Sequence, residues 1–122
     1  MATIERFEEL KVWQRARTLC KEVYLCTSAR SFARDFSLKD QIRRASTSIL
    51  LNIAEGFARQ SNKEFKQFLY ISHGTSAEVQ ACLYIARDQE YIDDETFSRL
   101  YHHTDEISKM IAGFIKYLNT KL

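Results

Sequence analysis

Glu55 and Glu78 are the two mid-helix acids that the spacing of apolar residues turns inward. A pair of inward carboxylates can share a proton, pair with an arginine or help to hold a metal ion. A di-metal site in a helical bundle also needs a Glu-x-x-His step on two further helices, and no such step occurs here. His102 and His103 are adjacent, so on a helix their side chains point about 100° apart and do not both face one ion. His73 is followed by Gly74 and Thr75, which leaves it without an HExxH partner. Cys20, Cys26 and Cys82 are odd in number and lack CxxC spacing, the pattern of reduced, buried thiols in a cytoplasmic protein. A cysteine–histidine hydrolase pair lacks a third group at any recognisable spacing, and no glycine-rich loop is built to cradle phosphate. The expectation is a protein that is not an enzyme, with no catalytic residue, no metal and no cofactor.

The residues around Glu55 form a longer series. Gln41, Arg44, Ser48, Asn52 and Glu55 recur at steps of three or four beside an apolar row. Together with Glu78 they predict a buried or half-buried polar network. Its expected role is to fix helix register or the geometry of an oligomer, with ligand recognition as the alternative. A second set is basic: Arg15, Lys21, Arg43, Arg59, Lys63 and Lys66 are the candidate contacts to RNA or DNA. Residues 1–61 carry 11 Lys/Arg against 7 Asp/Glu, and residues 62–122 carry 7 against 9. That split permits a basic patch on the first two helices, but the net charge of +2 is below the excess of an obligate nucleic-acid binder. If several subunits presented the patch together, their summed field could hold nucleic acid.

Helices must position these groups. The organising stretch is Ser37 to Ser61, SLKDQIRRASTSILLNIAEGFARQS. Ser37 is expected to cap it, with Asp40 in the capping-box position. Leu38, Ile42, Ala45, Ile49 and Ile53 mark one face, while Leu50, Leu51, Ala54 and Phe57 widen it. Gly56, near the end, is read as the place where another helix comes close. Ser61 and Glu64 form the next capping box, so the join between these helices is one or two residues long and sets them antiparallel. The helix that follows carries Phe65, Phe68, Leu69, Val79 and Leu83 inward, with a middle of small residues, Ser72 to Ala77, assigned to the same face. Tyr70, Ile71, Tyr84 and Ile85 spread apolar surface to its flanks and point to a second packing partner. Before the organising stretch, Leu10, Trp13, Ala16, Leu19 and Val23 mark a first helix, with Val12 off the stripe. Residues 30–36 show no period and are expected to be the longest connection, with Phe32 and Phe36 as plugs over the bundle end. Asp93 caps a last helix, stapled by Ile92 and Phe97.

The expected fold is therefore all-α: one domain over residues 1–122, an antiparallel up-down four-helix bundle with helices at about 9–28, 38–59, 62–89 and 94–119. The absence of proline and a glycine count of three agree with helices joined by short turns. A hydrophobic share of 45% supplies one core. The opening MATIERFEEL carries charges where a signal peptide has its apolar run, and no stretch approaches eighteen apolar residues. A cytoplasmic protein with no membrane partner is the expectation.

Several motifs carry a family resemblance along almost the whole chain: FEELKVW (Phe7–Trp13), LKDQIRRASTS (Leu38–Ser48), ILLNIAEGFAR (Ile49–Arg59), SNKEFKQFL (Ser61–Leu69) and GTSAE (Gly74–Glu78). In these the chain resembles the bacterial four-helix-bundle proteins encoded in intervening sequences of 23S rRNA genes, once described as a ribosomal protein. Their fold is similar to that of the accessory protein of diversity-generating retroelements. The resemblance implies a ring-like homopentamer with no catalytic residues, in which Gln41, Arg44, Asn52, Glu55 and Glu78 are structural. It also implies, by way of the retroelement accessory protein, a reverse transcriptase and nucleic acid as partners. The leading expectation is a non-enzymatic oligomeric bundle. A nucleic-acid-binding accessory protein is the alternative, and a metal-binding or enzymatic bundle comes third.

Overall fold

Three side chains decide where the long helices begin. Asp35, Ser61 and Asp93 each stand one residue outside a helix and accept a hydrogen bond from the amide three residues on, at 3.0, 3.2 and 2.7 Å. Each satisfies a donor that the first turn leaves without an intrahelical partner. The computed structural model describes residues 3–122. After a 3-10 turn at Phe7–Glu9 the helices are α1 (Lys11–Thr27), α2 (Arg30–Arg34), α3 (Phe36–Ala58), α4 (Asn62–Asp88) and α5 (Asp94–Asn119). No strand occurs among the described residues.

The start of α3 differs from the expected Ser37 cap. Asp35 and Leu38 stand at the same offset as Ser37 and Asp40, and a second contact decides between them. The other carboxylate oxygen of Asp35 accepts the Tyr91 hydroxyl at 2.9 Å. These hydrogen bonds, the Leu38 amide first, hold the Asp35 carboxyl below its ordinary range, and the Asp35 contact pushes the Tyr91 phenol up. The stretch expected as a connection contains α2, because Phe32 is fully buried and stacks on Tyr91 with ring centroids 5.1 Å apart. Phe36 is not a plug: it is 73% exposed. The Ser61 box is half formed. Ser61 caps α4, but the Glu64 carboxylate faces Arg59 at 3.4 Å.

The helices stop without glycine. Gln60 and Glu90 take left-handed φ values of 54° and 61° just past α3 and α4. After α4 the Tyr91 amide donates to the Ala86 carbonyl and the Glu90 amide to that of Arg87, both at 2.9 Å. This is a Schellman ending with a glutamate where glycine is usual.

Cross-helix contacts give the direction of every seam. Between α3 and α4 they link Gly56 to Phe65 and Phe68, Ile49 to Ser72, and Gln41 to Glu78. One number falls as the other rises, so the helices are antiparallel. Cys20 with Ser46 and Thr27 with Arg43 show the same for α1 and α3. Arg15 with Glu106 and Glu22 with Arg99 show it for α1 and α5. Phe65 with Phe114 and Tyr84 with Phe97 show it for α4 and α5. The four long helices thus form an up-down bundle in which α1 neighbours α3 and α5, and α4 neighbours the same two.

The core lies along the axis. Leu19, Ile49, Ile53, Leu69, Leu83 and Ile107 are fully buried. Each large apolar side chain so buried contributes roughly 1.5–3 kcal/mol relative to exposure. Val12, expected off the stripe, is buried. The middle of α4 splits between two faces. Ser72 and Ser76 are fully buried, the Ser72 hydroxyl donating to the Ile49 carbonyl at 2.9 Å, but Gly74 and Ala77 face outward. Gly56 is where α3 and α4 come closest: a Cβ there would sit 2.6 Å from that of Phe68.

Candidate interaction surface

The groups most able to do chemistry point to separate places. His102 faces Glu106 at 3.3 Å, and its neighbour His103 turns to Glu22 at 3.1 Å, as their angular separation requires. His73 is exposed on α4. Burial pushes all three thiols up, Cys26 to about 11, which keeps them protonated and weakly nucleophilic near neutral pH. Among the described residues no three His, Cys, Asp or Glu side chains are grouped to hold a metal ion. An open groove of about 400 Å³ between the N-terminal arm and the α3–α4 join is lined by Ile4, Phe57 and Phe65, with Gln60 and Asn62 at its edge. It contains no such group beyond Glu5.

The expected polar network is neither buried nor continuous. Gln41, Arg44, Glu55 and Glu78 are exposed, and only Ser48 and Asn52 are half-buried. It breaks into local pairs. Gln41 donates to Glu78 and ties α3 to α4. Arg44 pairs with Asp40 one turn back at 3.1 Å. The Asn52 amide donates to the Ser48 carbonyl and hydroxyl at 2.8 and 3.0 Å. Glu55 pairs with Arg59 at 3.0 Å. The physical reason is rotation about α3: its core row, Ile42 to Ile53, faces the bundle axis, and this series, beside it on the helix, falls on the flank that its neighbours leave exposed. Exposed pairs of this kind contribute about 0–1 kcal/mol each.

The six basic candidates do not converge on one face of the chain. Arg43 is engaged at the α1–α3 seam. Its guanidinium lies 4.3 Å from the Tyr24 ring centroid and donates to the Thr27 and Ser28 hydroxyls at 2.8 and 3.2 Å. Arg59 sits on the same helix about 24 Å away, held by Glu55 and Glu64. Beyond that join, Lys66 reaches Asn119 at 3.0 Å and Lys63 is exposed. Arg15 and Lys21 lie on the outer side of α1, where Lys11 and Arg17 are exposed as well. Arg15 faces Glu106 at 3.4 Å. The one acid of α1, Glu22, is turned away to Arg99 and His103. This four-cation face of α1 has no exposed acid of its own helix.

The most extensive unpartnered feature is the outward side of α4. Tyr70, Ile71, Tyr84 and Ile85 are 45–55% exposed there. Between them lie Gly74, Ala77 and Ala81, also exposed. On the neighbouring outer side of α3, Leu51 is 61% exposed. The steps Tyr70–Gly74–Ala77–Ala81–Ile85 have the helical period of the buried row Leu69–Ser72–Ser76–Val79–Leu83. Two apolar rows therefore run along one helix, and assigning Gly74 and Ala77 inward hid the second. No helix among the described residues is long and apolar enough to cross a membrane, so this face is not part of a helical span.

The family model described as 23S rRNA-intervening sequence protein matches residues 8–113. Among solved structures, the chain is similar to a crystal structure of a protein with unknown function from the S23 ribosomal protein family of Bacteroides thetaiotaomicron VPI-5482. The two are 27% identical with a TM-score of 0.78, over 86% of this chain and 98% of that one. No curated protein matches the chain.

Proposed function

From the premise that the chain belongs to the 23S rRNA-intervening sequence protein family, whose solved relative is itself of unknown function, we propose that it works as a non-enzymatic, self-assembling bundle in the cytoplasm. The observation that carries this is the exposed apolar side of α4. Apolar surface left on a helix with its own complete core marks a protein contact. The assembled form that the family resemblance implies is a ring-like homopentamer. Light scattering coupled to gel filtration tests the proposal: a multiple of the chain mass is expected, and a monomer at millimolar concentration would remove it.

The four-cation face of α1 favours a second reading, in which the assembly is an accessory protein that carries RNA or DNA. Kinship with the accessory protein of diversity-generating retroelements would add a reverse transcriptase as protein partner. Contact between Lys11, Arg15, Arg17 and Lys21 and phosphates predicts affinity that falls steeply with salt. Replacing Arg15 and Lys21 with glutamate should abolish retention of labelled RNA or DNA at 50 mM salt while leaving the assembly mass unchanged. Retention unaltered by those changes would exclude this face as the contact.

A further inference from the structure

We infer that the α1–α3 seam, where Tyr24 and Phe36 stand exposed among unpaired cations, is a docking surface for an acidic amphipathic helix of another protein. The inference is independent of the self-association proposed above, whose apolar row lies on α4.

Phe36 is the most exposed large apolar side chain among the described residues. It opens α3, where its ring adds nothing to the core. The Lys39 ammonium lies 4.9 Å from its centroid. One turn further along α3, the Arg43 guanidinium lies over the exposed Tyr24 ring of α1. Rings and cations thus alternate in the order Phe36, Lys39, Arg43, Tyr24, along about 10 Å of α3. Leu25, beside Tyr24, continues the apolar surface outward at 66% exposure. Apolar side chains grouped within a charged surround mark a contact.

Charge fixes the sign of the partner. Arg30 and Arg34 on α2, with Lys39 and Arg43, make no ion pair among the described residues. The acids of the same stretch are already engaged. Glu22 is turned to Arg99 and His103. Asp35 accepts the Leu38 amide and the Tyr91 hydroxyl, and Asp40 pairs with Arg44. The field over the patch is therefore positive and complements carboxylates. Arg43 is set in advance, because the Thr27 and Ser28 hydroxyls hold its guanidinium.

Two other occupants fit less well. Single-stranded nucleic acid stacks its bases on open ring faces, and here Lys39 and Arg43 already cover one face of each ring. An anionic bilayer would also meet the exposed Glu90, Asp93 and Asp94 at the same end of the bundle, where Tyr91 stacks on Phe32. A helix whose apolar side chains stand seven positions apart spans about 10 Å between them. That matches the separation of Phe36 from Arg43 along α3, and acids beside those side chains would face the cations.

The test uses a labelled synthetic helix of about 20 residues, with two leucines seven positions apart and glutamates beside them. A scrambled peptide of the same composition is its control. Fluorescence anisotropy with the full chain should show the ordered peptide binding about tenfold more tightly than the scrambled one. Phe36→Ser should weaken that binding about tenfold. Arg34→Glu should weaken it as well and reduce its dependence on salt. Leu51→Ser and Arg15→Glu, on other faces of the chain, should leave it unchanged. Circular dichroism confirms that each variant folds. Equal affinity for the two peptides, binding indifferent to Phe36→Ser, or an equal loss with Arg15→Glu would overturn the inference. Retention of phosphatidylserine vesicles or polyuridine RNA that Phe36→Ser abolishes, with peptide binding untouched by that change, would overturn it too and assign the surface to a membrane or to RNA.

Discussion

A methyl group at residue 56 has nowhere to go. Gly56 faces Phe65 and Phe68 across the α3–α4 seam at distances that a Cβ does not tolerate. Gly56→Ala should destabilise the chain by about 1–3 kcal/mol through overpacking, despite its gain in helix propensity. Gly113→Ala should do the opposite and stabilise by about 0.5–1 kcal/mol, because its methyl enters open space. Urea titration of both variants checks the pair. Sequence spacing made the close approach at Gly56 legible, since a glycine inside an apolar helix face has few other uses. It did not reveal the outward placement of Gly74 and Ala77. Small residues fit a buried face as well as an exposed one, and only the register of α4 against α3 decides. The basic residues misled for a related reason. Arg43 has an exposed-looking sequence context, but Tyr24, Thr27 and Ser28 capture it from fifteen or more positions away.

At the scale of elements, two of the three caps were legible, the cap of α3 was misplaced from Asp35 to Ser37, and the stops were not legible. Ser61 and Asp93 cap where their spacing predicts, whereas α3 and α4 end on Gln60 and Glu90 in a backbone region that usually selects glycine. Glu90→Gly should therefore raise stability by about 1 kcal/mol. For a domain of this size that corresponds to a rise in melting temperature of roughly 3–6 °C by calorimetry. α2 escaped sequence reading because five residues are too few to display a period, and the contact that forms it, Phe32 on Tyr91, is long-range. Acid should act first through the caps. Hydrogen bonds from the Leu38 amide to Asp35 and from Thr96 to Asp93 hold both carboxyls below their ordinary value. A depressed folded-state pKa contributes stability that is present above the unfolded value, about 3.9, and is lost as pH falls through the folded one. Stability measured from pH 6 downward should stay level to about 4 and then decline. In the double variant Asp35→Asn/Asp93→Asn that decline should be shallower, because asparagine caps without titrating.

For the molecule as a whole, fold class and helix order followed from period and punctuation alone. Four amphipathic stretches with short joins have few other ways to hide their apolar sides. The outer surface was less legible. The series Gln41 to Glu55 runs beside the core row with the same period, so which of two adjacent stripes faces water depends on how neighbouring helices are rotated. The same ambiguity separates a charged face built to hold phosphate from one that is merely solvated. Salt dependence resolves it: if the α1 patch contacts phosphates, the logarithm of affinity should fall linearly with that of salt at a slope of about −3, and Lys21→Ala should lower the slope by about one.

The three-residue join from Arg59 to Ser61 also sets an order in time. α3 and α4 are contiguous in the chain and can pair as soon as both are made, at little cost in loop closure. Among the long helices α1 packs mainly on α3 and α5, so its second wall is missing until α5 leaves the ribosome. During synthesis the newly made α1 must wait, half covered, for α5.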